Sequence, residues 1–252
     1  MKKIIKDILD NFAEKGFVFS NEQDFQFEMA LALKAIQGIK NVKLETLSLD
    51  EDWNSLIGKK KVSKSIKQYH DILVELTNGD VYLIELKYKT PQKLCFYETK
   101  QGKMITFAQG AYDIGAYEFL KDISRLENIK SRYMSRSIQE RIKKSFSVIL
   151  TNDRNYRFNE FNKETNGKES PWKNYSIAQG KEFKKGYILF NTNNPLQYVT
   201  PKGKKFDAIT LNNDYKPFEW NNYELEHYKD FENENGRSNC PGFSYLIVEV
   251  ET

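Results

Sequence analysis

The sequence predicts an α/β fold, from one hairpin pattern and the helical patterns on either side of it. Two apolar runs, 69–76 and 81–87, flank the turn sequence at 77–79, whose Asn-Gly pair is the strongest short-range signal for a β-hairpin. Helical spacing of apolar residues precedes the hairpin over 20–38 and follows it over 106–123. We therefore expect a central β-sheet flanked by helices.

The second half of the chain is richer in Asn, Tyr and Phe and poorer in helical patterns. The apolar run 146–151 predicts a strand that can join the core sheet as a parallel member. Short strands are predicted further on, at 186–190, 206–211 and 243–250. Since no repeat or low-complexity linker divides the chain, we expect one domain, 1–252. Its core would span about 20–150, and a β-rich C-terminal elaboration at about 151–252 would close on that core.

Composition favours a soluble protein and excludes several kinds of site. No stretch approaches the roughly 18 apolar residues of a membrane span, and the N-terminus has no apolar signal-peptide region, so we expect a cytoplasmic protein without a membrane partner. The 39 Lys and Arg residues exceed the 35 Asp and Glu residues by too little to argue for nucleic-acid binding. Cys95 and Cys240 form no C-x-x-C pair, so a zinc ribbon or an iron–sulfur cluster has no ligands.

Hairpin geometry brings two acidic residues opposite each other if the loop has three residues. With Gly79 in the left-handed conformation, the ladder places Asp71 directly opposite Glu85. A two-residue loop would instead pair Asp71 with Leu86 and turn the two carboxylates to opposite faces of the sheet. A site built from both acids therefore predicts an odd loop or a bulge.

The acidic pair shares its face of the hairpin with lysines. Because side chains alternate along a strand, Lys87 and Lys89 project to the same side as Glu85. Two close carboxylates repel each other, and such a pair usually persists by holding a cation. Oxygen ligands alone favour Mg²⁺, with Mn²⁺ able to take its place. The hairpin therefore predicts a Mg²⁺ site.

Asp71, an interval of about a dozen residues and then Glu85-x-Lys87 resemble the PD-(D/E)xK motif of the restriction-endonuclease-like nuclease superfamily. His70 stands where that motif usually has Pro. The resemblance implies a mixed central sheet flanked by helices and a metal-dependent hydrolysis of phosphodiester bonds that leaves a 5′-phosphate. It implies that Asp71, Glu85 and the Leu86 carbonyl hold one or two Mg²⁺ ions. It also implies that Lys87 orients or deprotonates the attacking water.

The helix before the hairpin offers a further acidic residue. Ser20 and Gln23 have the spacing of a capping box, and the helical pattern that follows runs to Gly38. Glu28 interrupts the apolar stripe of this helix, so its carboxylate is expected on the packed face. In the superfamily this helix often adds an acid to the metal site, and Glu28 matches that place. The alternative is a boundary residue whose carboxylate reaches solvent.

The helix after the hairpin resembles the one that carries a Gln-x-x-x-Tyr motif in RecB-like members of the superfamily. Gln109 lies in a comparable place and is a candidate for contacting phosphate or orienting the nucleophile. Tyr112 follows three residues later and is a weaker candidate for nucleic-acid contact. Gly110 and Gly115 lower helix propensity by about 1 kcal/mol each, which predicts that something approaches the helix closely on that side. The charged end of this helix, from Ser124 onward, is typical of a solvated face.

A lysine-rich segment precedes the first hairpin strand. Lys60, Lys61 and Lys64, together with Lys89 beyond the second strand, are candidates for phosphate contacts, which would give binding without sequence choice. A solvated lysine-rich loop is the equally weighted alternative.

The first hypothesis for function is a metal-dependent nuclease. The sequence has no phosphate-binding loop, dinucleotide fingerprint, nucleophile elbow or zinc-protease motif, and its two histidines leave few bases for a Ser or Cys hydrolase. DNA is the expected substrate, in a bacterial restriction, defence or repair role taken from the habit of the superfamily, and a homodimer is left open. Two alternatives remain: an inactive nuclease-fold module that binds nucleic acid or protein, and a structural domain in which Glu85 and Lys87 form a surface pair.

Overall fold

The computed structural model describes ten ranges of the chain, which are 1–49, 67–91, 94–107, 112–131, 136–158, 175–189, 197–199, 205–225, 229–230 and 242–252. Five α-helices lie in these ranges: α1 Lys2–Glu14, α2 Glu22–Lys34, α3 Tyr112–Glu127, α4 Arg136–Gln139 and α5 Arg154–Phe158. A short 3₁₀ helix covers Ile129–Ser131. No helix in these ranges is both long enough and apolar enough to cross a membrane.

Thirteen strands complete the described secondary structure. The first six are β1 Ile39–Leu49, β2 Lys67–Leu76, β3 Val81–Lys89, β4 Cys95–Thr99, β5 Gly102–Thr106 and β6 Ile142–Thr151. The others are β7 Ile188–Leu189, β8 Gln197–Val199, β9 Lys205–Asp207, β10 Ile209–Thr210, β11 Asn221–Tyr223, β12 Lys229–Asp230 and β13 Phe243–Glu251. Strands therefore appear at all of the positions predicted for the second half of the chain.

A mixed sheet of six strands forms the centre of the protein, in the order β1-β2-β3-β6-β13-β11. Strands β3 and β6 are parallel, and every other neighbouring pair in this sheet is antiparallel. A parallel pair needs a long connection, and here the chain passes through β4, β5 and α3 between the two strands. The predicted α/β class, with a central sheet flanked by helices, is confirmed, and the C-terminal half supplies two of its strands.

The hairpin β2–β3 has the predicted three-residue loop. Leu76 donates its N–H to the Asp80 carbonyl at 2.9 Å, and the Gly79 N–H donates back to the Leu76 carbonyl at 3.0 Å. Gly79 has φ +91°, in the region that glycine occupies without strain. The ladder then runs from Glu75 opposite Val81 to Ile72 opposite Ile84, where it ends; this is the register that, continued by one position, sets Asp71 opposite Glu85.

The sheet buries an apolar core on each of its faces. On one face, α1 and α2 cover alternate residues of β3, namely Ile84, Leu86 and Tyr88. On the other face, α3 covers Val81 and Leu83, and side chains of the C-terminal half complete that core. Glu85, Lys87 and Lys89 continue the row of Val81 and Leu83. The apolar row under α3 therefore becomes polar at Glu85.

Helix α2 begins one residue later than the sequence pattern predicts. Its N-cap is Asn21, whose side-chain oxygen accepts the Asp24 N–H at 2.9 Å, while the Asp24 carboxylate accepts the Ser20 N–H at 2.9 Å. The predicted pair of Ser20 and Gln23 was wrong because Asn21 is the N-cap, and Asp24 bonds back to Ser20, the residue before the cap. The helix ends at Lys34, before Gly38.

Helix α3 begins later than predicted and packs closely where predicted. Thr106 belongs to strand β5 rather than to a helix, and the described helix begins at Tyr112. Gly115 lies against Tyr156 of α5: a Cβ at position 115 would stand 1.9 Å from the Tyr156 hydroxyl oxygen and 3.0 Å from its Cζ atom. The close approach expected from the glycine is therefore confirmed. Gly110 lies outside the described residues.

Gly115→Ala is expected to destabilise the protein. Alanine would gain about 1 kcal/mol in helix propensity, but an overlap as close as 1.9 Å with a buried ring is expected to cost about 3 kcal/mol, the upper end of the usual range, so the net loss is about 2 kcal/mol. Urea unfolding measures it. Gly242→Ala is the control, since a Cβ there meets nothing within 4 Å. A Gly115→Ala protein as stable as wild type would contradict the packing described for α3 and α5.

Candidate active site

The candidate site lies where strands β2 and β3 stop pairing with each other. Their ladder ends at Ile72 and Ile84, although β2 continues to pair with β1 and β3 with β6. Beyond that point the Leu86 N–H donates to Oδ2 of Asp71 at 2.7 Å, so a side chain replaces the missing ladder bond. The carboxyl group of Asp71 is thereby fixed in the gap between the two strands.

Glu85 is almost fully buried, at 2 % exposure, and two residues bind the same oxygen of its carboxylate. Nδ1 of His70 lies 2.6 Å from Oε1 of Glu85, and a guanidinium nitrogen of Arg125 lies 3.3 Å from it. His70 has no exposed surface, and its Nε2 lies 2.9 Å from the hydroxyl of Ser48 on β1. The sequence analysis considered His70 only as a replacement for Pro, and its burial within a strand next to Asp71 was the signal for this role.

Lys87 forms ion pairs with residues from helices on either side. Its Nζ lies 2.9 Å from Asp122 of α3 and 3.6 Å from Glu22 of α2. The second oxygen of Glu22 accepts the N–H of Tyr88 at 3.1 Å, which fixes the start of α2 against β3. Both helices therefore hold Lys87 in place, and the sequence analysis had identified neither partner.

Helix α3 contributes an acidic and a basic residue to the site. Asp122 is buried and accepts a hydrogen bond of 2.6 Å from Arg125, which also reaches Glu85. One turn earlier, Glu118 lies 3.3 Å from Lys89. The expectation of a solvated face at this end of the helix was wrong for Arg125, because residues 118, 122 and 125 lie on one side of the helix and face β3.

We call seven of these residues the polar cluster: Glu22, His70, Asp71, Glu85, Lys87, Asp122 and Arg125. It holds four carboxylates against two permanent cations, an excess of two negative charges when all four acids are ionised. In a largely buried site this excess is unfavourable. Either two protons or one divalent cation would neutralise it.

The acids of the cluster have perturbed affinities for protons. Burial raises the pKa of Asp71 to about 7, and the neighbouring Glu85 carboxylate adds to the rise. Burial and the Asp122 carboxylate raise the pKa of Glu85, against the opposing effect of Arg125. Burial alone would lower the pKa of Lys87, but Asp122 and Glu22 outweigh it and raise that pKa above its ordinary value. Lys87 is therefore charged at neutral pH, while the acidic pair retains protons unless a cation replaces them.

The extra acid proposed from α2 lies elsewhere. Glu28 lines a cavity of about 600 Å³ between α1 and α2, together with Ile8 and Leu31. It is about 200° around the helix from Gln26, whose amide donates to the Asp71 carbonyl at 2.8 Å. The helix therefore presents Glu22 and Gln26 to the polar cluster and turns Glu28 away from it.

The remaining predicted residues are divided between the site, the core and the part of the chain that is not described. Lys89 lies beside the cluster, paired with Glu118. Tyr112 is buried in the core under α3, its ring 4.7 Å from that of Tyr156. Gln109, Lys60, Lys61 and Lys64 lie outside the described residues.

The donor atoms left in the cluster fit a hard divalent cation. The hydrogen bonds of 2.6–3.3 Å found here go to Oδ2 of Asp71 and to Oε1 of Glu85, and the Asp71 backbone also bonds to the Glu85 carboxylate. Within the ranges described, no three His, Cys, Asp or Glu side chains are grouped as a complete metal site. Two carboxylate oxygens with other ligands from backbone or water are an ordinary arrangement for Mg²⁺, which usually keeps several waters.

Asp71→Asn should change how stability depends on pH. Because the Asp71 carboxyl binds its proton more tightly in the folded protein, its contribution to stability is lost as pH rises from 3.8 to about 7. Between about pH 5 and about pH 8, the free energy of unfolding of the variant is therefore expected to rise by about 2 kcal/mol relative to that of wild type. This figure takes roughly 1.4 kcal/mol per pKa unit and reduces it because the group is partly exposed. Urea unfolding in a chelator measures it, with Glu219→Gln as an exposed control. A parallel pH dependence of variant and wild type would contradict the raised pKa.

Comparison with known proteins gives no family for this chain. No protein-family model, curated protein or solved structure matches it. Inference about function therefore starts from the polar cluster and from the resemblance of Asp71, Glu85 and Lys87 to the nuclease motif.

Proposed function

We propose that the protein is a metal-dependent nuclease of the PD-(D/E)xK type with a restriction-endonuclease-like fold, acting on DNA. The observation that carries the proposal is the acidic pair at the end of the β2–β3 ladder. The Asp71 and Glu85 carboxylates interact there, Lys87 follows on the same face of β3, and the sheet around them is mixed and flanked by helices. These features support the resemblance to the motif.

A divalent cation is the group that the negative charge and the paired carboxylates of the polar cluster favour. Asp71 and Glu85 would hold it through their carboxylates, with the Leu86 carbonyl as the further ligand that the motif implies. When bound, the cation supplies a Lewis acid that lowers the pKa of a bound water and neutralises charge on a phosphate. Its two positive charges match the excess negative charge of the polar cluster.

Lys87 has the properties of an orienting cation rather than of a general base. Its ammonium group is held between Asp122 and Glu22. Burial would lower the pKa of Lys87, but these two carboxylates outweigh burial and raise the pKa above its ordinary value. A lysine that stays protonated cannot accept a proton from water. It can donate hydrogen bonds to the attacking water or to a phosphate oxygen, so of the two roles implied by the motif we favour orientation.

The second candidate is a nuclease-fold module that binds nucleic acid without cutting it. One observation favours it: Arg125 and His70 already occupy Oε1 of Glu85, and Lys87 is paired with Asp122. Such pairing stabilises the cluster without a metal. We favour the nuclease because, with all four acids ionised, the two permanent cations of the polar cluster leave an excess of two negative charges that a divalent cation would neutralise.

The nuclease proposal predicts metal binding and metal-dependent cleavage. Calorimetry with Mg²⁺ or Mn²⁺ should detect a site in wild type, and supercoiled plasmid, single-stranded DNA and RNA are the substrates to compare. Asp71→Asn and Glu85→Gln keep the shape of each side chain but remove its charge, so each should lower cleavage about 100-fold or more. Glu118→Gln is the matched control, because Glu118 pairs with Lys89 beside the cluster and is not one of the proposed ligands.

The two candidates separate in this experiment. Nucleic-acid binding by wild type without metal uptake or cleavage would favour the binding module. Cleavage that Asp71→Asn leaves unchanged would contradict the proposed site.

A further inference from the structure

We propose that His70 is a positioning residue for Glu85: its imidazole holds Oε1 and so fixes the orientation in which the carboxylate would meet the cation. The inference rests on the proposed function and concerns the one position at which this chain departs from the nuclease motif. A Pro at position 70 would have no side-chain donor. Histidine adds one at a site where the strands no longer hold each other by ladder bonds.

The geometry of His70 favours a fixed contact. The side chain has no exposed surface, and it lies 2.6 Å from Glu85 through Nδ1 and 2.9 Å from Ser48 through Nε2. Arg125 approaches the same Glu85 oxygen at 3.3 Å, but its side chain is 28 % exposed and is shared with Asp122. The shorter and more deeply buried contact is therefore the one that fixes the rotamer of Glu85.

The proton on the Ser48 hydroxyl and the tautomer of His70 are linked by the contact between them. If the Ser48 hydroxyl donates to Nε2, the neutral ring carries its proton on Nδ1 and donates it to the ionised Glu85. Ser48, His70 and Glu85 then form a chain of hydrogen bonds, which we call the relay. It runs from β1 through β2 to β3, across the end of the β2–β3 ladder. A carboxylate ligand with one oxygen held in this way has its other oxygen oriented in advance, which is the usual effect of a residue behind a metal ligand.

His70→Asn and His70→Gln form a matched pair for testing this role. The amide of Asn reaches close to the position of Nδ1 and can still donate to Glu85, whereas the amide of Gln reaches toward Nε2 and Ser48. Both variants remove the imidazole from the same buried position, so both should lose thermal stability. Only His70→Gln removes the contact with Glu85.

Calorimetric titration with Mn²⁺ alone, below the unfolding temperature of each variant, gives the deciding measurement. His70→Gln is expected to raise the Kd about 10- to 100-fold, and His70→Asn to raise it no more than about threefold. Equal Kd values for wild type and both variants, or equal losses in both variants, would overturn the positioning role while leaving the proposed function intact. Wild type that binds no Mn²⁺ would overturn both.

A milder variant covers the case in which neither substitution folds. Ser48→Ala removes the hydrogen bond of the Ser48 hydroxyl to His70 but keeps the imidazole, and it should raise the Kd for Mn²⁺ a few-fold. An unchanged Kd in a folded Ser48→Ala protein would contradict the relay.

Discussion

The end of the β2–β3 ladder is the constraint on which the rest of the site depends. Beyond Ile72 and Ile84 the two strands no longer exchange backbone hydrogen bonds, and their separation leaves room for charged side chains inside the sheet. Asp71 and His70 close the gap by bonding to Leu86 and Glu85. Acidic groups are thus held where burial makes their charged forms unfavourable, and the surrounding residues offset part of that cost with hydrogen bonds and positive charges.

The two helices beside the sheet serve the same cluster from different sides. Helix α2 brings Glu22 to Lys87, and α3 brings Asp122 and Arg125. Each cation is therefore shared between two carboxylates, which reduces the repulsion among the acids without removing it. Burial raises the pKa of Asp71, the neighbouring Glu85 carboxylate adds to the rise, and the same concentration of negative charge is what the proposed divalent cation would neutralise. A substitution that removes negative charge from the polar cluster is therefore expected to stabilise the metal-free protein and to weaken its affinity for the metal.

Local sequence signals were enough to predict the hairpin, because turn chemistry and side-chain alternation act within a few residues. Gly79 determines the three-residue loop, and the loop determines that Asp71 faces Glu85. The strands of the second half were predictable for the same reason. Tertiary relationships were not: whether Glu22 or Glu28 of α2 faces the cluster depends on how the helix is rotated against the sheet.

The partners from α3 were missed because their spacing has two interpretations. Residues 118, 122 and 125 lie on one helix face. A charged face of this kind can be exposed to solvent, or it can pack against oppositely charged residues of another element. Only the lysines of β3, which that face meets in the fold, decide between the two. His70 was missed because the motif drew attention to the absent Pro rather than to the hydrogen bonds that a buried imidazole must make.

Anomalous diffraction from crystals soaked in Mn²⁺ tests the central claim most directly. The account predicts a peak between Asp71 and Glu85, at about 2.0–2.2 Å from one oxygen of each carboxylate, with His70 still bound to the other oxygen of Glu85. The absence of a peak there, with Arg125 and His70 still on Glu85, would contradict the claim that this acidic pair is a metal site.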